Sequence, residues 1–456
     1  MENKLFYSFL CSTIPPKDKP IPIEGIKLIS ALAHKQDIPI TWIVNGESVN
    51  EVKEIISQGN KDFNDNIILM IDPKIIFDEM DIVLSSKAEE TVILRQRLPE
   101  FIVNERQKLK DALSWSSADV IGSTLKSPVL IQILDELGCA GLWGYRWEDA
   151  DENDIGDKGC PWSFFYASED HYNATSPHSN KIIAVENSSL NLNAVYYTDN
   201  NRVFSASPRS LWRSGLSKDE EQAYSKAILN EYIRNSVWNR FLIFIQQLDA
   251  YDMQYKSYES YDGGTIAGLA HIADTFFKEI ASNEQIQALS IPDAISLYKV
   301  EFKRTEACQM IFDSMIPSDI ELDYFVPPEP NKKQEYPLTF FYYDSECQIV
   351  FREGQMTPIE VRNYAQPPFE SKHYMEKEIP SISNFYPSRD RDKLVMEFEI
   401  ESPKRMPYGL AVWDDHSMFN LVSTNARSVK WIGNYLLFMK VDLEEGLNKI
   451  EVTLAI

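Results

Sequence analysis

Residues 141–162 hold the densest set of groups in this chain that could do chemistry. Gly141-Leu142-Trp143-Gly144-Tyr145-Arg146-Trp147-Glu148-Asp149 runs on through Asp151, Glu152, Asp154 and Asp157 to Cys160-Pro161-Trp162. Indole faces stack on the apolar faces of pyranose rings, and carboxylates accept hydroxyl hydrogen bonds or move protons. Tryptophans, a tyrosine, an arginine and clustered carboxylates are therefore what a sugar site requires. Glycoside hydrolysis divides its work between two carboxyl groups. Glu148 or Asp149 is the candidate general acid, its pKa raised by the surrounding tryptophans. Asp154, Asp157 or Glu186 is the candidate nucleophile or base, kept ionised by Arg146 or by solvent. Trp143, Tyr145, Trp147 and Trp162 form the expected platform. The plainer alternative is a solvated acidic loop anchored by its tryptophans.

Other motifs add less. Asp149, Asp151 and Asn153 fit the first ligand positions of a calcium loop, but Asp154 replaces its glycine and Cys160 its closing glutamate. Among the six histidines, His171 and His178 flank a loop beyond the Trp-rich stretch, and His171 is the candidate to reach the same pocket. His271 falls among apolar residues and is expected to be packed. No His-Glu-x-x-His, P-loop, dinucleotide fingerprint or Gly-x-Ser-x-Gly elbow occurs, so neither a metal nor a cofactor is expected. Asp262-Gly263-Gly264-Thr265 opens a helix and is explained by capping alone.

Elements that alternate between two periods must position these groups. Strand-like runs at 4–11, 38–44, 66–71, 118–121, 139–143 and 181–185 alternate with helical ones at 24–36, 88–113 and 129–137. That alternation indicates right-handed βαβ units and a parallel sheet, here a distorted (β/α) barrel, whose ligands sit at the strands' carboxyl ends. The 143–162 segment and Glu186 both follow such ends. Residues 217–310 read as largely helical, opened by the capping box Ser217-Lys218-Asp219-Glu220. Pro317, Pro327, Pro328, Pro330 and Pro337 then interrupt any helix or central strand. Beyond them, Leu394, Met396, Phe398 and Ile400 alternate with polar residues, as do Ile450, Val452, Leu454 and Ile456. The expected domains are a barrel over 1–316, a proline-rich linker over 317–337, and an antiparallel β-sandwich over 338–456.

The chain's 456 residues carry a formal charge of −24, which repels phosphate backbones and anionic membranes. Nucleic-acid and membrane partners are thus not expected. The five cysteines show no zinc or redox spacing and read as reduced thiols. No signal peptide or membrane span is recognisable, and a cytoplasmic location is expected. Oligomeric state is not legible.

The first half resembles the polysaccharide-deacetylase and related glycosidase superfamily. The likeness lies in residues 25–46 (GIKLISALAHKQDIPITWIVNG), in 97–113 followed by Asp119-Val120-Ile121-Gly122-Ser123-Thr124, and in 134–143. It implies a distorted (β/α) barrel and a carbohydrate substrate. Family deacetylases hold a metal with a His-x-x-x-His pair and an aspartate near the first strand's end. The corresponding stretches here read Gly122-Ser123-Thr124-Leu125-Lys126 and Cys11-Ser12-Thr13, which lack the ligands a metal needs. Residues 443–450 resemble the last hairpin of accessory β-sandwiches on glycosidases. The leading expectation is a metal-independent carbohydrate-active hydrolase acting on an oligosaccharide or glycoconjugate. The alternatives are a non-catalytic glycan-binding protein on a degenerate barrel, a metal-dependent deacetylase with atypical ligands, and an assembly factor whose barrel pocket is empty.

Overall fold

The computed structural model describes residues 4–72, 76, 87–123, 125, 127–145, 163–169, 175–176, 182–192, 218–255, 266–312, 339–344, 349–353, 360–361, 380–413, 419–432 and 436–456. These fall into two units that divide between Glu306 and Ala307.

The first unit is a curled, mainly parallel sheet. Its strands are β1 (Leu5–Ser12), β2 (Ile40–Val44), β3 (Asn66–Met70), β4 (Val120–Gly122), β5 (Gly141–Tyr145), β6 (Phe165–Tyr166), β7 (Ile183–Glu186), β8 (Ile243–Asp249) and β9 (Ile286–Ala288). They pair in the order β6-β7-β5-β4-β3-β2-β1-β8, with β9 beside the amino half of β1. Among the described strands of this sheet only the β6–β7 pair is antiparallel. Strands such as β1 (LFYSFLCS) and β2 (ITWIV) are apolar on both faces because both faces are covered.

Outside lie α1 (Ile23–His34), α2 (Val49–Phe63), α3 (Lys87–Ala112), α4 (Pro128–Glu136), α5 (Lys218–Ser236) and α6 (Ile266–Ser282). They contact one another in the succession α5-α6-α1-α2-α3-α4, a continuous outer layer. Inside lies a seventh helix, α7 (Ile291–Glu301). Its Ile291, Ala294, Ile295 and Tyr298 share one core with Phe6 and Leu10 of β1, Ile43 of β2, Ile68 of β3, Val120 of β4, Trp143 of β5, Ile183 and Val185 of β7, and Ile243 and Ile245 of β8. A single core shared by one helix and strands from across the sheet is what a sheet curled around that helix produces. Gly141, the first residue of β5, lies against Ile295, whose Cδ1 would stand 2.5 Å from an added Cβ. The helix thus fills the amino end of the curl and leaves the carboxyl end open. Ser290 caps it, its Oγ accepting the Asp293 N–H, and Thr41 of β2 accepts the Ile291 N–H at 2.9 Å.

Asp65 joins α1, β2 and β3. Fully buried, it accepts the Ile40 N–H at 2.8 Å and the Trp42 Nε1–H at 2.7 Å, and meets His34 Nε2 at 2.9 Å. A carboxylate only accepts, so His34 carries a proton on Nε2, while its Nδ1 is hydrogen-bonded with Ser30 Oγ at 3.0 Å. The imidazole stacks on Phe63 with ring centroids 4.0 Å apart.

The second unit begins with β10 (Cys308–Phe312), which pairs antiparallel with β11 (Thr339–Asp344), itself paired with β12 (Ile349–Glu353). Two four-stranded antiparallel sheets follow: β13 (Glu360–Val361), β16 (Met406–Trp413), β19 (Leu436–Leu443) and β18 (Ser428–Ile432); and β14 (Ser381–Asp390), β15 (Lys393–Ser402), β20 (Gly446–Ala455) and β17 (Asn420–Thr424). They share one core, to which β15 contributes Leu394, Met396, Phe398 and Ile400, and β20 Ile450, Val452 and Leu454. This is the sandwich that the two-residue period indicates.

Several expectations need correction. Residues 217–310 hold the helices α5, α6 and α7 but also the strands β8 and β9, and β8 pairs with β1 along its whole length; a short apolar run buried on both faces has no period to distinguish strand from helix. Helix α2 is absent from the sequence reading, although its buried Val49, Val52, Ile56 and Gly59 recur at the spacing of one helical face. His271 is exposed on α6, which buries Leu269, Ile272, Ala273, Phe276, Phe277 and Ile280 instead. Residues 443–450 form no hairpin: β19 and β20 lie in different sheets, and the chain crosses between them at Gly446, whose φ of +93° glycine adopts without strain. Ser217 and the stretch 317–337 lie outside the described residues.

Candidate functional site

A cavity of about 480 Å³ opens at the carboxyl ends of the parallel strands. Ser12 ends β1 and Ile14 follows it. Ile43 stands one residue before the end of β2, with Asn45 and Glu47 beyond it. Met70 ends β3 before Asp72, Trp143 and Gly144 come from β5, Asn187 follows β7, and Gln247 lies in β8. Helix α3 completes the wall with Phe101, Glu105 and Lys108. Residues from β1, β2, β3, β5, β7 and β8 meet here because parallel strands all deliver their carboxyl ends to one side.

The β2 end is fixed by a polar turn. Asn45 Oδ1 accepts the Ser48 N–H at 2.8 Å, Ser48 Oγ accepts the Asn45 N–H at 3.2 Å, and Thr13 Oγ1 donates to the Ile43 carbonyl at 3.1 Å. The Gly46 N–H donates to Glu105 Oε2 at 2.9 Å, and Lys108 Nζ donates to Glu105 Oε1 at 2.6 Å. A side chain at Gly46 would collide with that carboxylate. Glu105, 7% exposed, is therefore an oriented carboxylate bolting α3 to the cavity's rim.

The β5 end carries a bulge. The β5–β7 register shifts between Trp143 and Tyr145, and the residue between them, Gly144, has φ +114°. An added Cβ there would strike the Ser123 carbonyl. The Ser123 N–H in turn donates to the Trp143 carbonyl at 3.0 Å. The bulge thereby sets Trp143 against both the inner core and the cavity. Its indole N–H is buried and meets no acceptor among the described residues.

Of the residues singled out from sequence, Trp143 lines the cavity. Tyr145 ends β5 with its backbone opposite Glu186, and Glu186 is a buried residue at the carboxyl end of β7, one place before Asn187. Arg146, Trp147, Glu148, Asp149, Asp154, Asp157, Trp162 and His171 lie outside the described residues. Sequence reasoning missed Ser12, Asn45, Glu47, Asp72, Asn187 and Gln247, although the strand-end argument that chose Trp143 applies equally to them. It also missed Glu105. The signal was there: Leu94, Leu98, Ile102 and Leu109 make the buried stripe of α3, and Glu105 stands in it. Among the described residues no three His, Cys, Asp or Glu side chains come together as a metal site. Ser12 lines the cavity, and Ser123 Oγ accepts the Leu125 N–H.

No family model matches the chain, and no curated protein does. Among solved structures, a Mycobacterium smegmatis protein described as a polysaccharide deacetylase superposes with a TM-score of 0.40 at 10% identity, over 67% of this chain and 94% of its own. A Pseudomonas aeruginosa PAO1 protein described in the same way gives 0.39 at 9% identity, over 66% and 93%. The 4-alpha-glucanotransferase of Thermococcus litoralis gives 0.34 at 9% identity, over 99% and 100%. Superpositions this loose assign no residue of the site.

Proposed function

We propose that this protein is a carbohydrate-active hydrolase that holds a sugar in the strand-end cavity and cleaves it with paired carboxylates, without a metal. One observation carries the reading: amides (Asn45, Asn187, Gln247), a hydroxyl (Ser12) and carboxylates (Glu47, Asp72, Glu105) line the same cavity as Trp143, Phe101 and Met70. A sugar ring needs this mixture, because its hydroxyls demand donors and acceptors around the edge while its C–H faces seek flat apolar walls. A volume of about 480 Å³ lies within the range of small-ligand sites, about 300–1,000 Å³.

Cleavage passes through an oxocarbenium-like transition state, which one carboxylate stabilises while a carboxylic acid protonates the leaving oxygen. In this proposal Glu148 or Asp149, just beyond the β5 bulge, is the acid. Asp154, Asp157 or Glu186 is the nucleophile or base. Trp143, Tyr145, Trp147 and Trp162 present the stacking faces, and Arg146 and His171 contact hydroxyls.

Glu148→Gln and Asp149→Asn test this against a panel of oligosaccharides. The acid's variant should lose on the order of 10²–10⁴-fold in turnover while binding sugar as the wild type does. Unchanged turnover in the double variant would refute the assignment. A wild-type protein that binds sugars and cleaves no linkage would be a glycan-binding protein instead.

A further inference from the structure

A polar atom in the cavity wall is left unused by the protein's described residues. Trp143 lines the cavity and is 4% exposed, and its indole N–H meets no acceptor among them. A buried donor without a partner is unfavourable and calls for one. An indole N–H only donates, so that partner must bring a lone pair.

The surroundings of the ring indicate where the lone pair comes from. Trp143 Cε3 lies 3.1 Å from a Cβ placed on Gly122 of β4. The six-membered ring therefore faces β4, and the pyrrole N–H lies on the indole's other edge. The core that Trp143 shares is apolar, built from side chains such as Ile43, Ile68, Val120 and Val185. Its other neighbour is the cavity. The bulge fixes the indole in this place, because φ +114° at Gly144 and the Ser123 carbonyl beside it leave no room for a side chain. The donor is thus positioned before any ligand arrives, and a preorganised donor costs little to engage.

Resting on the carbohydrate reading of this same cavity, we propose that Trp143 is a specificity-determining donor, its indole N–H giving a hydrogen bond to one hydroxyl oxygen of the bound sugar. This adds an edge contact to the ring face already assigned to it. A sugar with hydrogen in place of that hydroxyl offers no acceptor, and one with an ammonium there offers only donors. The cavity rejects both, and one oxygen sets how the sugar ring lies.

Proton–nitrogen NMR of the full chain, with trisaccharides of glucose, N-acetylglucosamine and galacturonate added in turn, tests this. The Trp143 indole signal is identified by its loss in Trp143→Phe or Trp143→Tyr, whichever folds. It should move downfield with the trisaccharide that binds most tightly. Calorimetry then compares that trisaccharide with its monodeoxy forms. One of these should bind the wild type about tenfold more weakly, which corresponds to about 1.4 kcal/mol. Trp143→Phe keeps an aromatic ring without the N–H and should bind the parent and that deoxy form alike. A Trp143→Phe protein that still prefers the parent tenfold would overturn the proposal, since the residue would then act through packing alone. An indole signal unmoved by a bound trisaccharide would also overturn it and leave the carbohydrate reading standing. Failure of every trisaccharide to bind would overturn both.

Discussion

Asp65→Ala should destabilise the parallel-sheet unit by about 2–6 kcal/mol and leave the sandwich unit unchanged. The carboxylate is fully buried and satisfies two donors that have no route to water, the Ile40 N–H and the Trp42 indole N–H. Each buried donor left unpaired is worth about 1–3 kcal/mol, which sets the range for two. His34 also loses the acceptor that holds its proton on Nε2. Because the two units have separate cores, hydrogen exchange read peptide by peptide is the appropriate assay. Protection should fall across β2 and β3 while β15 and β20 keep theirs. A change below about 1 kcal/mol in β2, or an equal change in both units, would refute the reasoning. Asp65→Asn should fall between, since it keeps one acceptor oxygen.

Gly144→Ala should weaken sugar binding more than it weakens the fold, because φ +114° and the nearby Ser123 carbonyl force the bulge to move Trp143; a strain of about 1–3 kcal/mol is expected, and unchanged affinity would contradict it. Burial pushes the Cys139 thiol up from 9.0 to about 11. A folded-state pKa above the unfolded one gives stability that is full below pH 9.0 and is lost as pH rises toward 11. Cys139→Ser should flatten the pH dependence of stability in that window by about 2 kcal/mol, measured by urea unfolding; an unaltered slope would count against it. Native Cys139 should also resist alkylation at neutral pH.

Architecture was legible where one face of an element is wet. The alternation in β15 and β20 and the apolar stripe of α1 come from half-buried surfaces, and each element formed close to its expected bounds. Legibility failed where both faces are covered, as in β8, whereas the stripe of α2 at Val49, Val52, Ile56 and Gly59 was open to the same argument that found α1. The site divides in the same way. A cluster contiguous in sequence draws attention to itself, which is how Trp143, a residue of the cavity wall, and Tyr145 were singled out, while Glu186 was singled out by its place at a strand's carboxyl end. Asn45, Asp72, Asn187 and Gln247 each stand alone at a strand end and resemble any loop residue until parallel pairing gathers them. Glu105 was hidden in a helix whose many charges read as solvated, although its position on the apolar stripe marks it as buried.

The claim beneath all of this is that the space above the carboxyl ends of β1, β2, β3, β5, β7 and β8 is where a sugar is held. A crystal structure of the full chain soaked with an oligosaccharide that it binds or cleaves tests it most directly. The account predicts sugar density in contact with Asn45, Asp72, Asn187 and Gln247. Sugar bound only on the sandwich sheets, with the cavity filled by water, would contradict it.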